Sequence, residues 1–281
     1  HGTNRDGVAT IAHDDITVDL DILPASDYPE MPLISDTVYV PMACATARDI
    51  LTFCGGTMSS EETRSYLRGV YLHQYGDTGK LAAVATDGHR LAICKISNEQ
   101  LSLPARQVIV PRKGILEIIR LLDPVEEEIQ VFLGSNHIRI IDTEFSFTSK
   151  LVDGRFPDYR RVLPRNGDKV LETQKDELRQ VLSRASILSN EKFKGVRLNF
   201  SANDLKITAN NPEQEQAEEV IEVSFPYEEL EIGFNVSYVL DVLNAIKDER
   251  VKFTLADANS SVVIEGSDTG EALYVVMPMR L

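Results

Sequence analysis

Apolar residues recur at i, i+3, i+4 and i+7 on four short segments of the chain, and strand-like runs follow each of them. The four stripes are Ala47, Ile50, Leu51, Cys54; Ile115, Ile118, Ile119, Leu122; Leu178, Val181, Leu182, Ala185; and Val236, Val239, Leu240, Leu243. This spacing places each set on one face of a helix. Their starts lie 68, 63 and 58 residues apart, so the chain reads as a quasi-repeat of one helix-plus-sheet unit.

The runs between the stripes predict strands. Unit one opens at Thr37 to Val40, with Pro41 as the expected stop, and continues near Leu67 to Leu72, Leu81 to Thr86 and Arg90 to Ile96. Unit two opens at Val108 to Val110, broken by Pro111 before its helix, and continues near Ile129 to Leu133, Ile138 to Ile141 and Phe145 to Leu151. In unit three Val196, Leu198 and Phe200 alternate with Arg197 and Asn199, the period-two signature of a half-buried strand; a turn at Asn203 and Asp204 leads into Leu205 and Ile207. Unit four starts at Leu230 to Phe234 and ends in Val251 to Leu255, Ser261 to Glu265 and Ala272 to Met277. The Gly-, Pro- and Arg-rich stretch Asp153 to Asp168 separates units one and two from three and four. The predicted class is α+β: each domain is a pair of βαβββ units, two helices packed on mainly antiparallel sheets. The sheet edges left open would pair with the next domain. A repeat of this kind shapes a surface rather than a single pocket.

With 281 residues, 43% of them hydrophobic, the chain is long enough for two domains of roughly 110 to 130 residues plus a remnant. No apolar run approaches the roughly 20 residues of a membrane span, and residues 1–15 show no signal-peptide pattern, so a cytoplasmic location is expected. Cys44, Cys54 and Cys94 form no C-x-x-C pair and read as small core residues in a reducing compartment. The net charge of −15 argues at first against nucleic acid, but its distribution changes that reading. The four helical segments hold 8 basic against 6 acidic residues, which leaves 21 against 38 elsewhere. If all four helices share one face, that face would meet phosphates loosely while the rest of the molecule is acidic.

Catalytic motifs are absent. There is no G-x-G-x-x-G, no G-x-x-x-x-G-K-[ST], no H-E-x-x-H and no paired Cys/His spacing, so neither cofactor nor metal is expected. Asp87 and His89 in Thr86-Asp87-Gly88-His89-Arg90 have the look of a hydrolytic dyad. Asp-Gly between two apolar runs, however, is a tight-turn signal, and no Ser or Cys nucleophile completes a triad. A turn presenting His89 and Arg90 to a groove is the better reading. The end of the chain, Tyr274-Val275-Val276-Met277-Pro278-Met279-Arg280-Leu281, is unusually apolar, and methionines flanking a proline suit an adaptable groove.

The runs ATDGHRLA (Ala85 to Ala92), VIVPRKG (Val108 to Gly114), FTSKLVDGRFPDYRRVLP (Phe147 to Pro164), ILSNEKFKGVRL (Ile187 to Leu198), KITANNPEQE (Lys206 to Glu215), GFNVSYVLDVLNA (Gly233 to Ala245) and YVVMPMRL (Tyr274 to Leu281) resemble the bacterial sliding clamps, the beta subunits of DNA polymerase III. The resemblance extends from about Ile22 to Leu281. It implies the DNA-clamp fold: three doubled βαβββ domains per subunit, two subunits head to tail, and a ring around duplex DNA that is a processivity factor and not an enzyme. On this pattern residues 1–35 are a remnant of the first domain and its linker, 36–164 the second domain and 168–281 the third.

The resemblance also implies site residues. Polymerase III alpha subunit, clamp loader and other clamp-binding proteins insert a Gln-Leu-x-Leu-Phe-like segment between the second and third domains of the family. The matching positions on the second-domain side are Leu67, Thr86, Gly88, His89, Arg90, Leu91, Pro157, Arg161 and Val162. On the third-domain side they are Phe193, Asn235, Tyr238, Ser261, Val275, Val276, Met277, Pro278, Met279, Arg280 and Leu281. DNA-facing positions are Arg48, Arg112, Lys113, Arg120, Lys175, Arg179 and Arg184 on helices, with Arg64, Tyr66 and Arg68 nearer a loop. Ile187 and Leu188, with Val18 and Leu20, match the head-to-tail dimer interface, and the missing first domain puts ring closure by this chain in question.

Overall fold

The four stripes fold as the helices α1 (Cys44–Gly55), α2 (Arg112–Leu121), α3 (Lys175–Ser186) and α4 (Val236–Ala245). Every stripe residue is buried except Ile119 and Leu240, which are partly exposed and pack against the same core. Local chemistry fixes the helix ends. Pro111 precedes α2 in extended backbone, Asp176 and Glu177 open α3 with Arg184 in its last turn, and the Asn235 side chain caps α4 by accepting from the Ser237 amide at 3.0 Å. Acidic first turns and basic last turns complement the helix dipole.

This computed structural model describes all residues except 1, 6, 29–36, 76–79, 97–106, 123–126, 214 and 268–271. The chain divides into two compact units, His1–Ser35 and Asp36–Leu281. The first is an antiparallel meander of β1 (Gly2–Arg5), β2 (Val8–His13) and β3 (Ile16–Asp21).

The second unit holds β4 (Val38–Ala43), β5 (Gly69–Tyr75), β6 (Lys80–Thr86), β7 (Arg90–Ile96), β8 (Gln107–Pro111), β9 (Glu128–Leu133), β10 (His137–Ile141), β11 (Ser146–Lys150), β12 (Lys169–Gln174), β13 (Gly195–Phe200), β14 (Asp204–Asn210), β15 (Gln216–Glu222), β16 (Leu230–Asn235), β17 (Arg250–Leu255), β18 (Val262–Gly266) and β19 (Ala272–Val276). Each βαβββ unit gives its opening strand to the other unit of its pair. Thus β4 joins β9, β10 and β11, β8 joins β5, β6 and β7, β12 joins β17, β18 and β19, and β16 joins β13, β14 and β15. The open edges then meet: β19 pairs antiparallel with β7, with Val275 opposite Leu91 and Tyr274 opposite Ala92, making one eight-stranded sheet.

Helix α1 packs beside α2 over β5 to β8 of that sheet, and α3 packs beside α4, with α3 lying mainly against β14 and β15 of the four-stranded sheet. Lys247, just beyond α4, pairs with Asp49 of α1 at 2.5 Å, so the helices form a row in the order α2, α1, α4, α3. Tyr274, 2% exposed, seals the junction from below. Its hydroxyl donates to the Phe53 carbonyl at 2.7 Å and its ring lies 4.1 Å from that of Phe53, centroid to centroid. Burial raises the phenol far above its ordinary pKa. Tyr274→Phe keeps the ring and strands the Phe53 carbonyl, so it should cost about 1–2 kcal/mol in urea unfolding.

Three sequence expectations need correction. Pro41 does not stop its strand: β4 continues to Ala43, with Pro41 opposite Gln130. As β4 is a sheet edge, the missing N–H is tolerated there. The strand expected from Leu67 begins at Gly69, and Leu67 belongs to a single 3-10 turn, Ser65–Leu67. Strands β1, β2, β12 and β15 were not anticipated. In β12 only Leu171 and Thr173 are buried, and in β15 only Ile221, so neither displays an apolar alternation.

Candidate functional site

The Thr86–Arg90 connection is held by its own short side chains. Asp87 Oδ1 accepts from the amides of His89 at 2.9 Å and Arg90 at 3.0 Å. Thr86 Oγ1 accepts from the Gly88 amide at 3.1 Å and donates to the Arg90 carbonyl at 2.6 Å. Gly88 has φ +93°, a region that side chains with a β-carbon rarely adopt. Asp87 is therefore turned onto the backbone and Arg90 and makes no hydrogen bond to the His89 ring among the described residues. The exposed imidazole instead lies 6.3 Å from the Tyr238 ring, nearly parallel to it.

Arg90 departs from the expectation that it faces the groove. Its side chain is only 10% exposed and is fully engaged. Nε donates to Asp87 at 3.0 Å, one terminal nitrogen donates to Asp241 of α4 at 2.5 Å and the other to the Gly56 carbonyl beyond α1 at 2.7 Å. The guanidinium also sits 4.5 Å over Tyr238. A planar fork with several donors suits this convergence. Arg90 thus ties the turn to α1 and α4.

The end of the chain is pinned at two points. The Met277 amide donates to the His89 carbonyl at 3.0 Å, and the Met279 amide donates to the Gly233 carbonyl at 2.7 Å. Leu281 lies over Gly195 and Gly233, paired strands where a β-carbon at either position would collide with the tail. Beneath, Leu67, Leu91 and Val275 are buried together with Phe156 and Tyr159, while Val276 belongs to the main core. The open apolar surface of the expected groove is Val162, Phe193, Met277 and Leu281. Pro278 and Met279 are partly exposed, and Arg280 is exposed. Arg161 is exposed near Asp158, whose carboxyl is held below its usual range chiefly by a hydrogen bond from Arg160. Asn235 is occupied as the cap of α4. Pro157 is exposed, and Ser261 is partly exposed and makes no side-chain hydrogen bond among the described residues.

Of the cations expected to face DNA, several carry carboxylate partners. Arg184 forms a two-point pair with Glu219 at 2.6 Å, Arg120 pairs with Glu117, Arg179 with Asp176 at 3.4 Å and Arg64 with Glu61 at 3.5 Å. Lys175 donates to the Ile246 carbonyl at 3.0 Å. Arg48, Arg68, Arg112 and Lys113 have no ion pair among the described residues. Arg64 and Tyr66 flank Gly88 and Gly154 respectively, which sets Arg64 beside the Asp87-Gly88 turn rather than on the helix row. Ile187, 77% exposed, stands at the end of α3 with Leu188 partly exposed beside it; in the N-terminal meander Val18 and Leu20 are also exposed.

Sequence reasoning missed Asp241 and Gly56, the anchors of Arg90, and Gly195 and Gly233, the bed of the tail. An isolated glycine inside a strand pattern marks close backbone approach, so the second pair carried a signal.

Comparison with known proteins adds independent findings. Residues 50–158 match the model of the DNA polymerase III beta subunit, central domain, and residues 160–280 that of its C-terminal domain. The beta sliding clamp of Salmonella typhimurium is 54% identical over 262 residues, covering 93% of this chain and 71% of the relative, and that of Escherichia coli K12 is 53% identical over the same coverage. The crystal structure of the Pseudomonas aeruginosa DNA polymerase III subunit beta superposes with a TM-score of 0.94 at 46% identity, covering 100% of this chain and 76% of that one. A sliding clamp from the same organism bound to griselimycin superposes with a TM-score of 0.91 at 46% identity, covering 100% and 75%.

Proposed function

The chain belongs to the DNA polymerase III beta-subunit family, the bacterial sliding clamps, and from that premise we propose that it is a non-enzymatic processivity factor, working in the cytoplasm, whose second and third domains dock partner proteins through a peptide groove. Residues 36–164 and 168–281 would be those domains, and 1–35 the remnant of the first. The observation that carries the groove is the bond from the Met277 amide to the His89 carbonyl, since it brings the two most unusual stretches of the chain to one place. Leu, Phe or Met side chains of a partner would lie against Val162, Phe193, Met277 and Leu281, with His89, Arg161 and Arg280 orienting polar atoms at the rim. Arg90 acts as a positioning residue here. The partners are polymerase III alpha subunit, clamp loader and other proteins with short linear motifs. A Gln-Leu-x-Leu-Phe peptide buries little area and loses entropy on ordering, so calorimetric titration should give a Kd of about micromolar, roughly −8 kcal/mol. Absence of binding would remove the groove.

For duplex DNA the helix row offers Arg48, Arg112 and Lys113 without competing carboxylates, while Arg120, Arg179 and Arg184 are partly neutralised by their neighbours. Binding should therefore be weak, indifferent to base sequence and steeply dependent on salt. Even three to five phosphate contacts would lose on the order of tenfold to a thousandfold in affinity between 50 and 200 mM salt. A salt series on a labelled duplex measures this, and a flat series would contradict phosphate contact. Head-to-tail pairing through Ile187 and Leu188 on one side and Val18 and Leu20 on the other is proposed for the full-length form.

A further inference from the structure

Beside the tail, a cleft of about 380 Å³ opens between Asn190, Phe193, Arg197, Thr208, Asn210 and residues 279–281. Arg197 forms its floor. It is exposed on β13, opposite Thr208 of β14 on one side and Gly233 of β16 on the other. With glycine directly opposite, no side chain of β16 faces Arg197 straight across the ladder; the flanking positions there are Glu231 and Asn235. Two carboxylates lie near Arg197 in the register: Glu231 of β16, diagonal to it and forming no ion pair with it, and Glu218 of β15, opposite Thr208 and taken by Lys206 at 3.2 Å. Neither Arg197 nor Arg280 has an ion-pair partner among the described residues, in a chain of net charge −15. The amide oxygen of Asn190 is spent on the Lys192 and Phe193 amides. Donors therefore predominate: two guanidiniums, the Asn210 amide and the Thr208 hydroxyl, beside an apolar wall of Phe193 and Leu281.

A carboxylate, with acceptors only, complements that set, and an Arg fork matches its geometry. We infer that this cleft is a subsite for an acidic side chain carried next to the apolar anchors of a docking segment. The inference rests on the groove proposed above and assigns Arg197 a specificity role there. The unpaired cations would favour acidic flanks over neutral ones, and the preference would fade as salt screens it.

The test uses the intact chain, the Arg197→Gln variant and five peptides: Gln-Leu-x-Leu-Phe alone, and the same segment extended by Glu or by Gln at either end. At 50 mM salt one Glu-extended peptide should bind about two- to fivefold tighter than its Gln counterpart. The difference should vanish in Arg197→Gln, with the unextended peptide binding both proteins equally. Equal binding of Glu and Gln forms at both ends, or a Glu preference that survives Arg197→Gln, overturns the subsite and leaves the groove standing. Failure of the unextended peptide to bind the intact chain overturns the groove and the subsite with it.

Discussion

Deleting Met277–Leu281 is expected to abolish detectable binding of a Gln-Leu-x-Leu-Phe peptide, a loss of about a hundredfold or more from a micromolar start. The deletion removes Met277 and Leu281, half of the open apolar surface described above, and exposes the glycine bed of Gly195 and Gly233 to water. The fold should survive. Strand β19 ends at Val276 and keeps its pairing with both β18 and β7, so circular dichroism and the urea midpoint should change little. Met277→Ala alone should cost about 1–3 kcal/mol of binding, in keeping with an anchor residue. Undiminished affinity after the five-residue deletion would place the docking surface elsewhere.

Arg90→Ala should act on stability first, with a loss of about 2–4 kcal/mol by urea unfolding. Truncation leaves the largely buried Asp87 carboxylate without its cation and releases Asp241 and the exposed Gly56 carbonyl to solvent, and breaking one side of a largely buried charge pair is more costly than never having formed it. Because the guanidinium joins the turn to both α1 and α4, peptide affinity should fall alongside stability. Arg90→Lys should recover only part of either, since one ammonium cannot serve three partners in different directions. His89→Ala is the contrast: the turn depends on Asp87, Thr86 and Gly88, so unfolding should be unchanged while binding weakens modestly. A stable Arg90→Ala variant with intact binding would refute the positioning role.

The helices were legible because burying one face forces a period near 3.6, and the stripes at Leu178 and Val236 met that period within residues of the observed ends. Strands β13 and β14 were legible for the analogous reason. Strand β15 was not, because two of its three inward positions are Ala217 and Glu219, and Glu219 is there to meet Arg184. The exchange of opening strands between units was also hidden, since hydrogen-bonding partners on a ladder leave no trace in residue type. At the candidate site the Asp87-Gly88 turn followed from local chemistry. The role of Arg90 did not, because Asp241 lies 151 residues away in sequence and an arginine beside a turn reads equally well as a ligand contact.

Backbone amide chemical-shift mapping during titration with a Gln-Leu-x-Leu-Phe peptide tests the docking groove most directly. Saturable shifts should concentrate at Thr86 to Leu91, Phe193, Tyr238, Val275 to Met277 and Met279 to Leu281, with α2 and α3 unaffected. Shifts centred on the helix row, or none at peptide concentrations well above micromolar, would contradict it.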